Sequence, residues 1–379
     1  MINPDVFCKN LKKAGYELIT GVPDSLLKEL IYSFEHFYKK KHIISTNEGS
    51  AVSLAMGSYM GTKKPAIVYL QNSGLGNIIN PITSLANPKV YGFPILLIIR
   101  WRGEVYKNQQ IKDEPQHRFQ GLITLKLLKL LNIPYRIIKS ETKDFKKIIY
   151  NLKNKSIKYQ KPVALVVRKN TFSKSKYKDT NKTKYGYIRE DVINDIISNL
   201  KFNKNYIVCT TGMASRELYE ARVSKKQSLF QDFLTVGGMG HASQIAAGLA
   251  FSKKKKIICI DGDGSLLMHT GAMGISAKIN NLIHIVINNG AHDSVGGQPT
   301  LGNNLNLKNI AKEFGYRNAL MISKRSIIPK IVNKCLNSKF SSMVVINCDK
   351  GHRKNLGRPS QNMILRKNQF IKHINKNEN

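Results

Sequence analysis

Acidic residues are scarce in this chain. Asp and Glu number 24 against 61 Lys and Arg in 379 residues, a formal net charge of +37. Such an excess invites a polyanionic partner. The lysines, however, are scattered in small groups such as Lys39-Lys40-Lys41, Lys146-Lys147 and Lys253 to Lys256. No basic stripe interleaved with aromatics and no helix-turn-helix pattern accompanies them. The charge therefore reads as solvated surface, able to assist capture of an anionic substrate, and no nucleic-acid partner is expected. Cysteine is also sparse. Cys8, Cys209, Cys259, Cys335 and Cys348 form no CxxC pair and no even framework, which argues against a disulfide scaffold or structural zinc and for a reducing cytoplasm. Long apolar runs are missing. The densest, Phe93 to Ile99, is too short to span a bilayer. Met1-Ile2-Asn3-Pro4-Asp5 lacks the charged-then-apolar pattern of a signal peptide, so a cytoplasmic protein is expected. No short-period repeat is evident.

What is present fits two α/β domains of ordinary size: hydrophobic residues make up 42% of the chain, and apolar strands alternate with helical segments through both halves. Thr171 to Gly186 is polar, Lys-rich and nearly free of aliphatic residues. It reads as a linker between a domain over 1–170 and another over 187–379. Pro65 to Leu70, Phe93 to Ile99, Val163 to Val167, Tyr206 to Cys209 and Met343 to Asn347 read as buried parallel strands. Tyr16 to Ile19 is expected as a short strand, and Gln71 to Asn77 as a glycine-bearing loop. Tyr106 to Gln120 reads as a long polar loop, Arg216 to Ala221 as a helix, and His292 to Gln298 as a mobile loop. The polar end from Arg366 to Asn379 is expected to fray.

The most informative stretch is Ile257-Ile258-Cys259-Ile260-Asp261-Gly262-Asp263-Gly264-Ser265, followed about one helix and one strand later by Ile285-Val286-Ile287-Asn288-Asn289-Gly290-Ala291. Both apolar runs end in small and oxygen-bearing residues, and open α/β sheets bind ligands at the carboxyl ends of their strands. Two such ends can offer Asp263 and Asn289 to one hard cation such as Mg²⁺, which prefers oxygen ligands and takes phosphate oxygens as well. Far upstream, Glu48 opens a helix rich in small residues, where a carboxylate is favoured by the helix dipole. Alone it also reads as a simple capping residue.

With GVPDS, NEGSA, QNSGLGN, RGE, DEPQH, VGGMGHAS, GDGS, NNGAHDSVGGQPT and LGRPS in view, the chain resembles the thiamine-diphosphate-dependent 2-oxoacid decarboxylases over nearly its whole length. The resemblance is closest to their phosphonopyruvate branch, and the chain has no room for the middle domain of the larger members. It implies two doubly wound domains, an N-terminal pyrimidine-binding one and a C-terminal diphosphate-binding one, each a parallel sheet flanked by helices. The implied cofactors are thiamine diphosphate and Mg²⁺. Asp263, Asn289 and the Ala291 carbonyl would hold the ion. Gly264, Ser265 and the Thr211, Gly212 and Met213 loop would donate to the phosphates. Gly237 would accept from the 4′-amino group, and Met239 would be the apolar wedge. Gly238 replaces the small polar residue usual after that first glycine. Glu48 would face the pyrimidine N1′, and Asn72 would adjoin the cofactor. Candidates for proton transfer are Asp24, His117 and His292; candidates for holding substrate are Ser25, Asn72, Arg102, His117 and His292. The implied activity converts 3-phosphonopyruvate to phosphonoacetaldehyde and CO₂ in phosphonate biosynthesis, by a homo-oligomer with sites at subunit interfaces. The alternatives are a sulfopyruvate decarboxylase, a carboligase of the acetolactate-synthase type, and a basic nucleic-acid-binding protein built on the same fold.

Overall fold

The computed structural model describes residues 1–106, 109–177, 183–200, 205–357, 359 and 362–376. The chain divides into two compact units, Met1–Thr180 and Asn181–Asn379.

In the first unit, α1 (Pro4–Lys13) is started by Asn3, whose side chain accepts from the Asp5 and Val6 amides, and by proline in the first turn. It is followed by β1 (Ile19–Gly21), α2 (Lys28–Tyr38), β2 (His42–Ile44), α3 (Glu48–Thr62), β3 (Ala66–Gln71), α4 (Leu75–Pro81) and β4 (Ile95–Arg100). A two-stranded ladder, β5 (Val105–Tyr106) with β6 (Gln109–Gln110), precedes α5 (Pro115–Leu130), β7 (Tyr135–Ile138), α6 (Phe145–Tyr159) and β8 (Val163–Val167). The sheet is parallel, in the order β2-β1-β3-β4-β8-β7. Central β8 is apolar throughout, and β4 is apolar up to its last residue, Arg100, because helices cover both faces; every residue of each is buried.

The second unit runs α7 (Arg189–Ser198), β9 (Tyr206–Cys209), α8 (Met213–Ser224), β10 (Asp232–Leu234), α9 (Ala242–Phe251), β11 (Ile257–Gly262), α10 (Asp263–Met268), α11 (Met273–Ser276) and β12 (Leu282–Asn288). A second small ladder, β13 (Ala291–His292) with β14 (Gln298–Pro299), leads to α12 (Leu307–Glu313), β15 (Asn318–Ile322), α13 (Ile328–Leu336), β16 (Ser342–Asn347) and α14 (Met363–Lys376). The parallel sheet has the order β10-β9-β11-β12-β16-β15. Among the described residues no helix is long and apolar enough to cross a membrane.

Several local expectations are corrected. The first strand begins only at Ile19; Gly15, at φ +86°, turns the chain and Tyr16 plugs the core, fully buried. The Gln71 to Asn77 segment is not an open loop but a 3₁₀ turn running into α4, because Leu75 and Ile78 bury against Ala51 and Ala55 of α3. The polar stretch after Tyr106 ends at Pro115, which starts α5, so His117 is helical. The α8 helix begins at Met213 rather than near Arg216. His292 to Gln298 is tied by the β13–β14 ladder. The C-terminal end is helical up to Lys376: Phe370 and Ile374 share a face and are buried, with Phe370 edge-on to Tyr206 at 6.2 Å.

Parts of the segment read as a linker are held within their units. The Ser175 amide donates to Glu29 at 2.8 Å, and the Thr171 carbonyl accepts from the Ile2 amide at 2.8 Å. The Asp349 carboxylate collects the amides of Lys184 (2.6 Å), Tyr185 (3.0 Å) and Gly186 (2.7 Å). Residues 178–182 of that segment, and Arg358 and Ser360 of LGRPS, lie outside the described residues.

Candidate functional site

The carboxyl ends of the two sheets carry two separate constellations. In the first unit, Glu48 is the first residue of α3 and is buried. Asn47 ends the preceding turn and caps the helix, its side chain accepting from Ser50 at 2.8 Å. Glu48 Oε2 accepts from Asn77 Nδ2 at 2.7 Å. A Cβ on residue 74 would fall 2.4 Å from Glu48 Oε1, so Gly74 is what makes room for the carboxylate.

Asp24, 1% exposed, caps its own turn through Oδ1, which accepts from Leu26 (2.9 Å) and Leu27 (3.1 Å). Oδ2 is buried with no hydrogen-bond partner. Burial raises the Asp24 carboxyl above its ordinary range, against the pull of Arg100 and Arg102. Arg102 forks onto Asp113, Nε to Oδ2 at 2.8 Å and Nη2 to Oδ1 at 2.6 Å. Burial acts to raise Asp113, but that guanidinium and the Glu114 and Gly103 amides hold it well below the usual carboxylate range. The charge of Arg102 is thus already matched by a carboxylate within the unit. Asn72 is likewise committed: Nδ2 donates to the Arg102 carbonyl (3.0 Å) and Thr124 Oγ1 (2.9 Å), while Oδ1 accepts from the Arg102 amide (3.1 Å). It ties β3 to β4 and α5, and both amide hydrogens are used within the unit. His117 lies 3.4 Å from Gln120 Oε1. Burial and the nearby Arg102 lower its pKa, so the ring is neutral at pH 7. Ser25 is half-buried beside Asp24.

In the second unit, Asp263 opens α10 and is 2% exposed. It accepts from the Thr300 hydroxyl and from the Asn289 and Gly264 amides. Burial pushes its carboxyl up to about 6 against these donors. All of them are neutral. A buried carboxylate with neutral partners is expensive to ionise unless a cation completes it. The residues therefore fit a divalent ion with oxygen ligands. Asn288 Oδ1 and Asp263 Oδ2 both crowd Gly302, where a Cβ would fall 2.4 and 2.5 Å from them. Asn288 is itself held by the Gly302 carbonyl (3.1 Å) and Asn347 Oδ1 (2.9 Å). Asn289 Oδ1 accepts from the Ala291 amide at 3.1 Å, and its Nδ2 donates to Asp293 at 3.4 Å.

Ser265 joins three loops: its hydroxyl accepts from the Gly240 amide at 3.0 Å and meets Thr210 Oγ1 at 3.0 Å. The Gly237–Gly238–Met239 turn is thereby drawn to the start of α10. Gly238 takes φ +65° and Met239 is only half-buried, so Met239 is not sealed in the core. Thr211 precedes Gly212, which takes φ +91°, and α8 starts at Met213 with no side-chain cap on its amides. A Cβ on Gly212 would lie 3.5 Å from Ser294, so the loop after Asn289 folds over this turn. His292 is 8% exposed, and a Cβ on Gly264 would sit 3.0 Å from its ring. Burial pushes the imidazole down to about 4, leaving it neutral at pH 7. Of the residues expected from sequence, the second unit gathers Thr211, Gly212, Gly237, Met239, Asp263, Gly264, Ser265, Asn289, Ala291 and His292; the first gathers Asp24, Arg102 and His117 around one guanidinium.

Thr300, Asn288 and Gly302 were not anticipated, nor were Asn77, Gly74 and Asp113. Thr300 stands in the quoted NNGAHDSVGGQPT run, and only its distance in sequence from Asp263 hid the contact. A buried trio of ligand-type residues, Cys259, Asp261 and His284, lies within 4.8 Å. His284 there spends its ring nitrogens on Asp261 (3.3 Å) and Tyr316 (3.1 Å).

The halves also match known families. Residues 4–126 match the thiamine pyrophosphate enzyme N-terminal TPP binding domain, and residues 209–348 match the C-terminal TPP binding domain. The chain is 30% identical over 377 residues to a phosphonopyruvate decarboxylase of Streptomyces viridochromogenes, covering 95% of this chain and 91% of that one. The chain belongs to the thiamine-diphosphate-dependent decarboxylases. Within that carboxy-lyase family it is also 28% identical over 356 residues to a sulfopyruvate decarboxylase of Methanosarcina acetivorans, covering 86% of this chain and 87% of that one. The beta subunit of sulfopyruvate decarboxylase from Methanocaldococcus jannaschii is 35% identical over 179 residues, which is 41% of this chain and 92% of the subunit. Thiamine diphosphate supplies a carbon nucleophile and an electron sink for the bond to carboxylate.

Proposed function

We propose that this decarboxylase acts on 3-phosphonopyruvate, yielding phosphonoacetaldehyde and CO₂ with uptake of one proton, and that it requires Mg²⁺. The substrate assignment is carried by likeness to a phosphonopyruvate decarboxylase along nearly the full length of both chains. The Mg²⁺ assignment rests on Asp263, a buried carboxylate with neutral partners, flanked by Asn289 and Ala291. In this reading those three residues hold the ion. Gly264, Ser265 and the Thr211–Met213 turn donate to the diphosphate, Gly237 and Met239 hold the pyrimidine side, and Glu48, steadied by Asn77, keeps a proton at the pyrimidine. Asp24, His117 and His292 move the substrate's proton. Both imidazoles are neutral at pH 7 and so suit proton exchange better than electrostatic anchoring of a dianion.

Phosphorus NMR of phosphonopyruvate with the chain, thiamine diphosphate and Mg²⁺ tests this: the substrate resonance should give way to that of the aldehyde. A second reading, sulfopyruvate as substrate, is favoured by the M. acetivorans relative. A kcat/KM higher for sulfopyruvate than for phosphonopyruvate would replace the first reading by the second. We further infer a homo-oligomeric working form. The separate subunit from M. jannaschii, matching two-fifths of this chain, supports a design in which halves work in assemblies. Light scattering on the purified chain reports the mass directly; a monomer at working concentration would refute it.

A further inference from the structure

The loop that follows Asn289 is held from behind by charge. Arg189, the first residue of α7, is buried and forks onto Glu217 of α8, Nε to Oε2 at 2.7 Å and Nη2 to Oε1 at 2.8 Å. Its third nitrogen, Nη1, reaches Asp293 Oδ2 at 3.1 Å. The same Asp293 oxygen accepts from the Gly351 amide at 2.9 Å and from Asn289 Nδ2 at 3.4 Å. Asn289 is thereby fixed at both ends of its amide: nitrogen toward Asp293, oxygen toward the Ala291 amide at 3.1 Å. The reversed amide would set its oxygen against a carboxylate and its NH₂ against an N–H. Asp293 therefore decides which atom Asn289 presents beside Ala291, and Arg189 with Glu217 decides where Asp293 sits.

We propose that Asp293, backed by the Arg189–Glu217 pair, is a positioning residue for the cation site: it sets the orientation of the Asn289 amide and so the affinity for Mg²⁺. This rests on the reading of Asn289 as a ligand. Partners one shell out from a metal orient its ligands, and their loss costs roughly 10- to 100-fold in metal affinity. The Arg189–Glu217 fork is the stiffer part, since a guanidinium locked by a bidentate carboxylate has little freedom left to follow the loop.

The test is calorimetric titration of Mg²⁺ into the full chain with saturating thiamine diphosphate, comparing wild type with Asp293→Ala, Asp293→Asn and Asn289→Ala. Asp293→Ala should weaken Mg²⁺ binding about tenfold or more, with activity returning to within about threefold of wild type when Mg²⁺ is raised to saturation. Recovery at saturation separates a positioning role from a purely structural one. Asp293→Asn keeps the packing and one acceptor oxygen; its affinity should fall between the two, at least about threefold below wild type. It serves as the test if the alanine variant does not fold. Asn289→Ala weakening Mg²⁺ while both Asp293 variants bind as wild type would overturn the proposal. Unchanged Mg²⁺ affinity in Asn289→Ala would instead overturn the ligand reading beneath it.

Discussion

The two sheets are wound alike. In each, the strands taken in chain order lie second, first, third, fourth, sixth, fifth across the sheet. The third strand of the first unit ends at Gln71 and runs into Asn72; the third strand of the second ends at Gly262 and runs into Asp263. The frames match and the strand ends do not. In the first unit the polar groups around Arg102 are spent on one another, with Asp24 Oδ2 the exception: Arg102 on Asp113, Asn72 on Thr124 and Arg102, and Arg168 on Glu104 at 3.2 Å. In the second unit Asp263 is surrounded by neutral donors, and its burial is uncompensated by any charge named among them. One topology thus supports opposite electrostatic states at equivalent places. The winding fixes where strand ends converge, and a few side chains decide whether that place is self-neutralised or open to a cation.

That contrast can be broken at its strongest points. Glu48→Gln, in the first unit, should lower kcat by roughly 10³-fold, in the range of a lost proton-transfer partner. Folding should be intact, and hydrogen–deuterium exchange at the thiazolium C2 should slow in parallel. Normal exchange would remove Glu48 from its role. Asp263→Ala, in the second unit, should instead act on binding. Loss of a ligand should exceed the roughly 10- to 100-fold penalty of an outer partner, read as Mg²⁺-dependent thiamine diphosphate affinity.

The glycines sharpen the comparison. Gly74→Ala drives a methyl onto the Glu48 carboxylate and should cost on the order of 10² in kcat, the scale of an ångström-sized misplacement. Gly302→Ala crowds Asp263 and Asn288 and should raise the Mg²⁺ concentration needed for half-activity while sparing C2 exchange at saturating metal. If both variants gave the same phenotype, the division of labour between the units would fail.

The remaining effects concern pH, and they run in opposite directions. Burial lowers His42, in the first unit, to about 4 from an ordinary 6.5. Its contribution is present above pH 6.5 and lost as pH falls through 4, worth about 3 kcal/mol at full extent. Burial raises Asp263 to about 6 from 3.8. Without metal, that contribution is present below pH 3.8 and is lost as pH rises through 6, again about 3 kcal/mol. The gain in Tm on adding Mg²⁺ with thiamine diphosphate should therefore be larger at pH 7.5 than at pH 4.5. His42→Gln should flatten the acid limb alone. Equal Tm gains at the two pH values would contradict the burial assigned to Asp263.

Buried central strands were legible because both their faces are apolar; Val163–Val167 and Tyr206–Cys209 read with the observed limits. Short strands such as Asp232–Leu234 carry too few residues to show a period. The α4 helix was hidden by glycines and asparagines that usually mark loops, although Leu75 and Ile78 give it a buried side. The last helix was hidden by lysines, which mask the spacing of Phe370 and Ile374. At the candidate site, Asp263 and Asn289 could be singled out because they sit in compact motifs. Thr300 was not seen as a partner of Asp263, since contact across 37 residues is set by the fold and leaves no local pattern. The pairing of Arg102 with Asp113 was hidden for the same reason: a sequence shows a charge but not its partner.

The carboxylate of Asp349 pins Lys184, Tyr185 and Gly186 to the end of the last strand of the second sheet, while Thr171 and Ser175 are bonded into the first unit. A chain break placed between residues 178 and 182 severs none of these bonds. Each half would then keep its own edge contacts as an independent polypeptide, and co-expression of the two pieces becomes a practical route to mixing halves that carry different substitutions.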